Sequence, residues 1–422
     1  MLGNCHRGTV SPKKKASPTR LICLTCYNIP GMHKLIATAS QLIRMITESR
    51  RVIVRNKPFF IGIIGIAATL LYSLAVAQDA YVAEAKRYTA LVSKPNPLWN
   101  GPTSGPTGQR NKSIIYVSSD QKNDGAHGVG QGAAEAAKVI GWNFRLIDGQ
   151  GTVSGRRDAL MQAASLKPDG IILGTVDALE QADVIREIAA KGVKIVGWHA
   201  LGKPGPGRDL PIFTNIATDP IDVGKAAAMY AVADSNGTAG VVIFNDPIYA
   251  IANVKTNAMI DIFRSCTGCS VLMVDDIHLK DIPATMPQRT AWLLQRFGRK
   301  WTHTVAVNDL WLDAMPPTFI AAAIPGNGFP KSISAGDGSE SAFERIRKNH
   351  YQIGTVAEPL RLHGWQAIDE LNRAFAGQKA SDYSAPVHLV TSANIKFDGG
   401  RHNEFDPDNG YRDRYRKIWG VK

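Results

Sequence analysis

Residues 303–339 have the sequence HTVAVNDLWLDAMPPTFIAAAIPGNGFPKSISAGDGS, in which two short β-prone runs flank an apolar helical run. The first run, 304–307, ends at Asn308, and the second, 332–336, ends at Asp337. Strands that alternate with helices are typical of a parallel sheet, so we expect both polar residues at the same sheet edge. In open α/β sheets small ligands bind there, beside the carboxyl ends of the strands. The stretch therefore predicts an α/β fold with a polar site where the strands end.

The same unit recurs along the chain. Short apolar runs alternate with helical runs from residue 113 to 233, and the alternation begins again after Ser235-Asn236-Gly237. Runs that are apolar throughout indicate strands covered on both faces. The chain has 422 residues, which is long enough for two domains. We therefore expect two βαβ series that each close their own sheet.

The formal net charge of +13 is unevenly distributed. Residues 1–77 contain 11 Lys and Arg but one acidic residue, whereas the rest contains 38 basic and 35 acidic residues. A nearly neutral folded part does not provide the basic surface that nucleic-acid binding requires. We therefore expect no nucleic-acid partner.

The amino-terminal region ends in an uncharged apolar run, 59–77, which follows basic residues and closes with Ala75-Val76-Ala77. Basic, apolar and small-x-small regions in this order are typical of a secretory signal peptide, here with cleavage before Gln78. An uncleaved membrane anchor is the alternative, because the run is long enough to span a bilayer. We assign 1–77 to a signal region and 78–111 to a leader and linker.

Two cysteines, Cys266 and Cys269, remain in the part of the chain expected to be exported. Two ligands do not make a zinc site, and an oxidising compartment favours a disulfide between neighbouring cysteines. We therefore expect a local structural disulfide and no metal site.

The sequence lacks the G-x-S-x-G, H-E-x-x-H and P-loop signatures of common enzymes. A partial dinucleotide fingerprint at 128–133 is separated from the first predicted strand by residues 119–127. Its first glycine belongs in the turn directly after the strand, so a glycine-rich helix start explains it better. We expect a protein that is not an enzyme, with no catalytic residues and no cofactor.

Polar and aromatic side chains follow almost every predicted strand. Each Asp or Asn alone is also a favoured helix N-cap. Together they predict a cleft rich in carboxylate, amide and indole groups, as a polyhydroxylated ligand requires. The predicted ligand-binding residues are Asn123, Asp177, Trp198, His199, Asp246, Tyr249, Asn253, Asn308, Trp311, Asp337 and Glu358.

Four ordered motifs resemble those of type I periplasmic solute-binding proteins of the ribose-binding kind, the receptors of ABC sugar importers. They are 213–220, 308–309, 335–338 and 356–359, within a resemblance that extends from residue 113 to about 395. The resemblance implies an α/β fold of two doubly wound parallel-sheet lobes joined by a three-stranded hinge. It also implies that Asn308 and Asp337 hydrogen-bond sugar hydroxyls, and that Glu358 does so from the hinge.

Three positions depart from the family pattern. The aromatic pair after the first strand is absent, an Asp-Arg pair after the fourth strand is His199-Ala200, and the usual arginine of the second lobe is Asn253. The pocket therefore lacks the family's guanidinium clamp. Trp198, Tyr249 and Trp311 are expected to supply aromatic stacking, and a sugar, a polyol or a small aromatic solute all remain open.

The resemblance also predicts the domain organisation and the function. The amino-terminal lobe is expected to contain 112–216 with 359–387, and the carboxyl-terminal lobe 217–358 with 388–422. The expected function is that of a monomeric periplasmic receptor that captures a sugar-like solute and presents it to ABC permease subunits in the membrane. An exported α/β enzyme that acts on a sugar or nucleotide-like substrate is the alternative, because a fold alone does not fix a function.

Overall fold

A computed structural model describes residues 76–95, 98–400 and 402–422. The predicted signal region lies outside the described residues except for Val76 and Ala77. Within the described ranges, no helix combines the length and the apolar character needed to cross a membrane.

The amino-terminal lobe is built on a five-stranded parallel sheet with the strand order β2-β1-β3-β4-β5. Both faces of β1 and β3 are buried, as expected for isoleucine- and valine-rich strands covered by helices on both sides. The edge strand β2 departs from the predicted apolar pattern, because Asn143, Arg145 and Leu146 are exposed. The strands are β1 (Ser113–Ser118), β2 (Asn143–Asp148), β3 (Gly170–Gly174), β4 (Lys194–Trp198) and β5 (Thr214–Ile216).

The carboxyl-terminal lobe contains a six-stranded sheet with the order β11-β10-β9-β8-β6-β7. All its pairs are parallel except β10 with β11, which is antiparallel. The strands are β6 (Gly240–Asn245), β7 (Ser270–Asp276), β8 (His303–Ala306), β9 (Lys331–Ser334), β10 (Gln352–Val356) and β11 (Leu389–Thr391).

Helices cover the faces of both sheets. In chain order they are α1 (76–92), α2 (Asp124–Ile140), α3 (Val153–Ser165), α4 (Ala182–Ala190), α5 (Pro220–Asp234), α6 (Ala250–Ser265), α7 (Ile282–Phe297), α8 (Leu310–Asp313), α9 (Pro316–Ala321), α10 (Glu340–Arg347), α11 (Leu360–Phe375), α12 (Ile395–Asp398) and α13 (Tyr411–Trp419). The predicted α/β class with two parallel-sheet lobes is confirmed.

Between β1 and β11 the chain passes from one lobe to the other three times, after β5, after β10 and before β11. Helix α11 follows a strand of the carboxyl-terminal sheet but packs against α2 and β4 of the other lobe. The carboxyl ends of the strands from both sheets therefore face a common cleft.

The two ends of the described chain cross between the lobes as well. Helix α1, the first part of the predicted leader, packs on the carboxyl-terminal lobe through Val82, Ala85 and Val92. Helix α13 packs on the amino-terminal lobe, where Trp419 stacks parallel to Trp365 with 5.5 Å between ring centroids. The assignment of all of 388–422 to the carboxyl-terminal lobe was therefore wrong for this helix, which buries an aromatic stripe at four-residue spacing.

Cys266 and Cys269 form a disulfide at the carboxyl end of α6, which confirms the predicted pairing. The turn between them holds the side chain of Gln78, whose carbonyl oxygen accepts the backbone N–H of Thr267 at 3.0 Å. The same carboxamide donates to the backbone oxygen of Gly237 at 2.8 Å. The disulfide turn thus fixes the start of α1 on the carboxyl-terminal lobe.

Candidate functional site

The cleft between the lobes contains two adjoining cavities. The inner cavity has a volume of about 40 Å³, which is enough for a water molecule and too small for a sugar. The outer cavity has a volume of about 500 Å³ and shares Asn123, Thr175 and Tyr249 with the inner one. A sugar-sized solute would therefore reach the inner groups only when the lobes move apart.

Seven of the eleven predicted residues line the inner cavity. They are Asn123, His199, Asp246, Tyr249, Asn308, Trp311 and Asp337. Glu358 lies directly beside this group, because its Oε2 is 3.0 Å from Nε2 of His199. Asp177, Trp198 and Asn253 are outside the cavity wall.

Asn308 and Asp337, which follow two neighbouring strands, lie next to each other as predicted. Asn308 follows β8, and its amide nitrogen donates to Oδ2 of Asp337, which follows β9. The amide oxygen of Asn308 accepts the N–H of Leu310 and so orients the side chain. Asp337 is buried, and its Oδ1 faces the ammonium group of Lys255 at 4.0 Å.

Lys255 is the principal site residue that the sequence analysis missed. It lies in the second turn of α6, is 3 % exposed, and places Nζ 3.6 Å from Oε1 of Glu358. This ammonium group provides a cation in the pocket, whereas Asn253 turns towards its own lobe and bonds to Asn245 and the backbone oxygen of Pro247. A charged residue within the buried stripe of an amphipathic helix was the signal for it.

Glu358 is the centre of a buried cluster at the hinge. His199, Lys255 and His363 all lie within 3.6 Å of its carboxylate. Burial alone would raise the pKa of Glu358, but His199 and Lys255 outweigh burial and hold this pKa well below its usual range. Glu358 is therefore charged at neutral pH.

Asp337 has the opposite shift. Burial raises the pKa of Asp337 to about 6, although Lys255 and His199 oppose the rise. Burial also lowers the pKa of His363 to about 4, so that imidazole is neutral at pH 7. The floor of the cleft thus contains two carboxyl groups that titrate in different pH ranges.

Trp198 does not line the inner cavity but packs against this cluster. Its ring stacks on His199 with 3.9 Å between centroids, and its Nε1 donates to Nδ1 of His363 at 3.1 Å. The indole is fully buried in the amino-terminal lobe. It therefore fixes the orientation of His199.

Three predicted residues use their acceptor atoms to cap backbone N–H groups. Asn123 accepts from Ala126 at the start of α2, and Asp246 accepts from Leu279. Asp177 accepts from the N–H of Ala250 across the cleft. These are the capping roles that Asp and Asn favour.

Several buried polar atoms in the cleft have no hydrogen-bond partner among the described residues. Two of them are Nε1 of Trp311 and Oγ1 of Thr175. Oε1 of Glu358 also lacks a hydrogen bond, but it faces Nζ of Lys255 at 3.6 Å. Leaving such atoms unpaired costs free energy, so they are candidate partners for the hydroxyl groups of a ligand or for water. Thr175 and His199 also have left-handed φ values of 57° and 53°, and strain of this kind concentrates at functional sites.

His199, Asp337 and Glu358 bring potential metal-ligating atoms within 4.8 Å of one another. The ammonium group of Lys255, however, already lies against both carboxylates. It supplies the positive charge that a metal ion would bring.

A family model described as a periplasmic binding protein domain matches residues 114–379. No curated protein sequence matches the chain. Many solved structures resemble it, at sequence identities that show the fold alone.

Three of these structures illustrate the similarity. A glucose-galactose binding protein from Geobacillus stearothermophilus is 18 % identical with a TM-score of 0.60, over 68 % of this chain and 99 % of that one. A solute-binding protein from Agrobacterium vitis bound with α-D-tagatopyranose is 14 % identical with a TM-score of 0.61, over 70 % and 99 % of the two chains. One from Agrobacterium radiobacter in complex with D-arabinose is 20 % identical with a TM-score of 0.59, over 68 % and 97 %.

Proposed function

The chain belongs to the periplasmic binding protein family, and from that premise we propose that it captures a sugar or polyol between its lobes as the receptor of an ABC importer. The proposal rests on the polar donors and acceptors at the inner cavity and beside it, where Trp311, Asp337 and Glu358 are buried and Asn308 is half-buried. Asn308 and Trp311 provide N–H groups, and Asp337 and Glu358 provide carboxylate oxygens. A sugar offers hydroxyls that both donate and accept, so it satisfies all of these groups together.

The charges of the cluster favour a neutral solute. The ammonium group of Lys255 lies between two carboxylates, so its charge is already balanced within the protein. An anionic ligand at the inner cavity would face Glu358 and Asp337 while Lys255 is already engaged by both, which is unfavourable in a buried site. Two of the similar structures contain a neutral sugar, which supports the same class of ligand.

A thermal-shift screen of pentoses, hexoses and polyols, followed by tryptophan fluorescence, tests this function. Trp311 lines the inner cavity, so a bound sugar should change its emission, and Trp311→Phe should remove the change. Trp292→Phe is the matched control, because Trp292 is 42 % exposed on α7. The sugar should be recovered unchanged after incubation. Chemical conversion of the sugar would contradict the receptor and support the alternative enzyme.

The pKa of Asp337 makes binding dependent on pH. A ligand hydroxyl that donates to Asp337 requires the carboxylate form, and protonation near pH 6 removes this acceptor. We expect affinity to fall as the pH decreases, by about tenfold between pH 7.5 and pH 5. Calorimetric titration at both pH values measures the change, and Asp337→Asn should show a much flatter dependence. Equal wild-type affinities at the two pH values would be incompatible with this role.

We further propose that the protein is exported and that its mature form begins at Gln78. The basic, apolar and Ala-x-Ala regions before this residue motivate the cleavage site. Mass spectrometry of the exported protein should find Gln78 at the amino terminus. An intact 59–77 segment in the membrane fraction would instead establish an anchor.

The expected partner is a membrane permease. Ligand that touches both lobes shifts the population towards a closed arrangement, and closure presents surfaces of both lobes together. The receptor is expected to act as a monomer, which size-exclusion chromatography with light scattering would show.

A further inference from the structure

Helix α6 in the carboxyl-terminal lobe is capped by the other lobe. Its N-cap residue, Tyr249, makes no side-chain capping bond, and the first turn contains no acidic residue. The N–H of Ala250 instead donates to Oδ2 of Asp177 at 2.9 Å. The first N–H groups of a helix need such an acceptor, and it normally comes from the adjoining chain.

Hydrogen bonds within its own lobe orient the side chain of Asp177 for this contact. It follows β3, is 5 % exposed, and its Oδ1 accepts the N–H groups of Leu179 and Glu180 at 2.9 and 3.2 Å. One oxygen therefore fixes the carboxylate within its own loop. The other oxygen is left to face the helix across the cleft.

The amino-terminal lobe also contacts Tyr249, the residue that precedes Ala250. Nη1 of Arg156 lies 3.4 Å from the hydroxyl of Tyr249, and the guanidinium is 5.7 Å from the ring centroid. Arg156 is itself fully buried and bonded through Nε to Glu180 at 2.7 Å. Two successive residues of the carboxyl-terminal lobe are thus held by the amino-terminal lobe.

We propose that the bond between Asp177 and the Ala250 N–H is an interlobe cap that favours the closed arrangement of the lobes. Because the bond joins protein to protein, it contributes to closure without requiring ligand. Asp177 is then a positioning residue that sets ligand affinity through the closed population. Only the effect on affinity rests on the proposed function, since closure itself is measured without a ligand.

Two substitutions break this bond from opposite sides. Asp177→Asn keeps one oxygen for Leu179 and Glu180 but turns an amide N–H towards Ala250. Ala250→Pro removes the donor, and proline is favoured at the first position of a helix. Tyr249 precedes it with an extended ψ of 121°, as a residue before proline requires. Asp183→Asn is the matched control, because Asp183 lies exposed at the start of α4.

Small-angle X-ray scattering of the mature protein without ligand measures the effect. Asp177→Asn and Ala250→Pro should each increase the radius of gyration above that of the wild type and the control. The double variant should add no further increase, because both substitutions break one bond. For the sugar or polyol with the largest thermal shift, each variant should bind about fivefold more weakly, as expected for the loss of a typical cap.

Melting curves establish whether each variant is folded. If only one of the two single variants folds, its radius of gyration alone tests the interlobe cap. Wild-type radii in the folded variants would overturn the interlobe cap, and so would additive increases in the double variant. An increased radius in a protein that binds no sugar would uphold the cap and count against the proposed function.

Discussion

Lys255→Met should destabilise the protein by about 3–5 kcal/mol at neutral pH, the usual effect of removing one partner from a buried charge pair. The ammonium group lies 3.6 Å from Glu358 and 4.0 Å from Asp337, and all three side chains are buried. Without it, the buried carboxylates of Glu358 and Asp337 would lose their shared lysine partner. Urea denaturation measures the loss in free energy of unfolding.

Lys191→Met is the matched control for this substitution. Lys191 pairs with Glu187 on the exposed face of α4, and exposed pairs of this kind contribute little to stability. Part of the loss in Lys255→Met should be recovered as the pH falls, because protonation of Asp337 removes one of the unpaired charges. The pKa of Asp337, about 6 in the wild type, should rise further once the lysine that lowers it is removed. Equal stabilities of the two variants would show that Lys255 does not balance the cluster.

Trp419→Ala should also cost about 3–5 kcal/mol of stability, as expected for a buried tryptophan. The indole is 2 % exposed, stacks on Trp365, and donates its Nε1 to Oδ1 of Asp369 at 2.8 Å. The substitution leaves a cavity and a buried carboxylate that lacks one donor. Trp292→Ala, on the half-exposed face of α7, should cost much less.

The measurement for Trp419→Ala is again denaturation, with the transition followed by circular dichroism. A large loss would show that α13 is part of the amino-terminal lobe and not an appendage. Similar stabilities for Trp419→Ala and Trp292→Ala would show that α13 does not take part in the cooperative unfolding transition.

Much of the architecture could be predicted because buried parallel strands are apolar along their whole length. The two parallel-sheet lobes follow from these apolar runs, and Asn308 and Asp337 lie together as their positions after β8 and β9 indicated. These features depend on local patterns and on the general rule that parallel strands end at one edge.

The roles of the strand-end residues could not be resolved in the same way. Asp177 and Asp337 both follow parallel strands, yet Asp177 meets a backbone N–H of the other lobe and Asp337 meets Asn308 and Lys255. Which donors approach a carboxylate depends on how the lobes meet, and no local pattern contains that information.

The packing of α13 was not predicted for a related reason. Tyr411, Tyr415 and Trp419 have the spacing of one helix face, but charged residues separate them and the helix has nine residues. Their partner is α11, which lies in the amino-terminal lobe although β11 is nearer along the chain. The family resemblance, on which the lobe assignment of 388–422 rested, therefore did not predict this packing.

Calorimetric titration of the wild type, Asn308→Ala and Asp337→Ala tests most directly that the inner cavity is the ligand site. The titrant is the sugar or polyol selected by the thermal-shift screen, and Asp261→Ala, an exposed residue of α6, is the control. The wild type and the control should bind one molecule with the same affinity. Each cavity variant should bind more weakly by about 1–3 kcal/mol, or roughly 5- to 150-fold, because a buried polar partner is lost. Unchanged affinity in both cavity variants would contradict the assignment of the site.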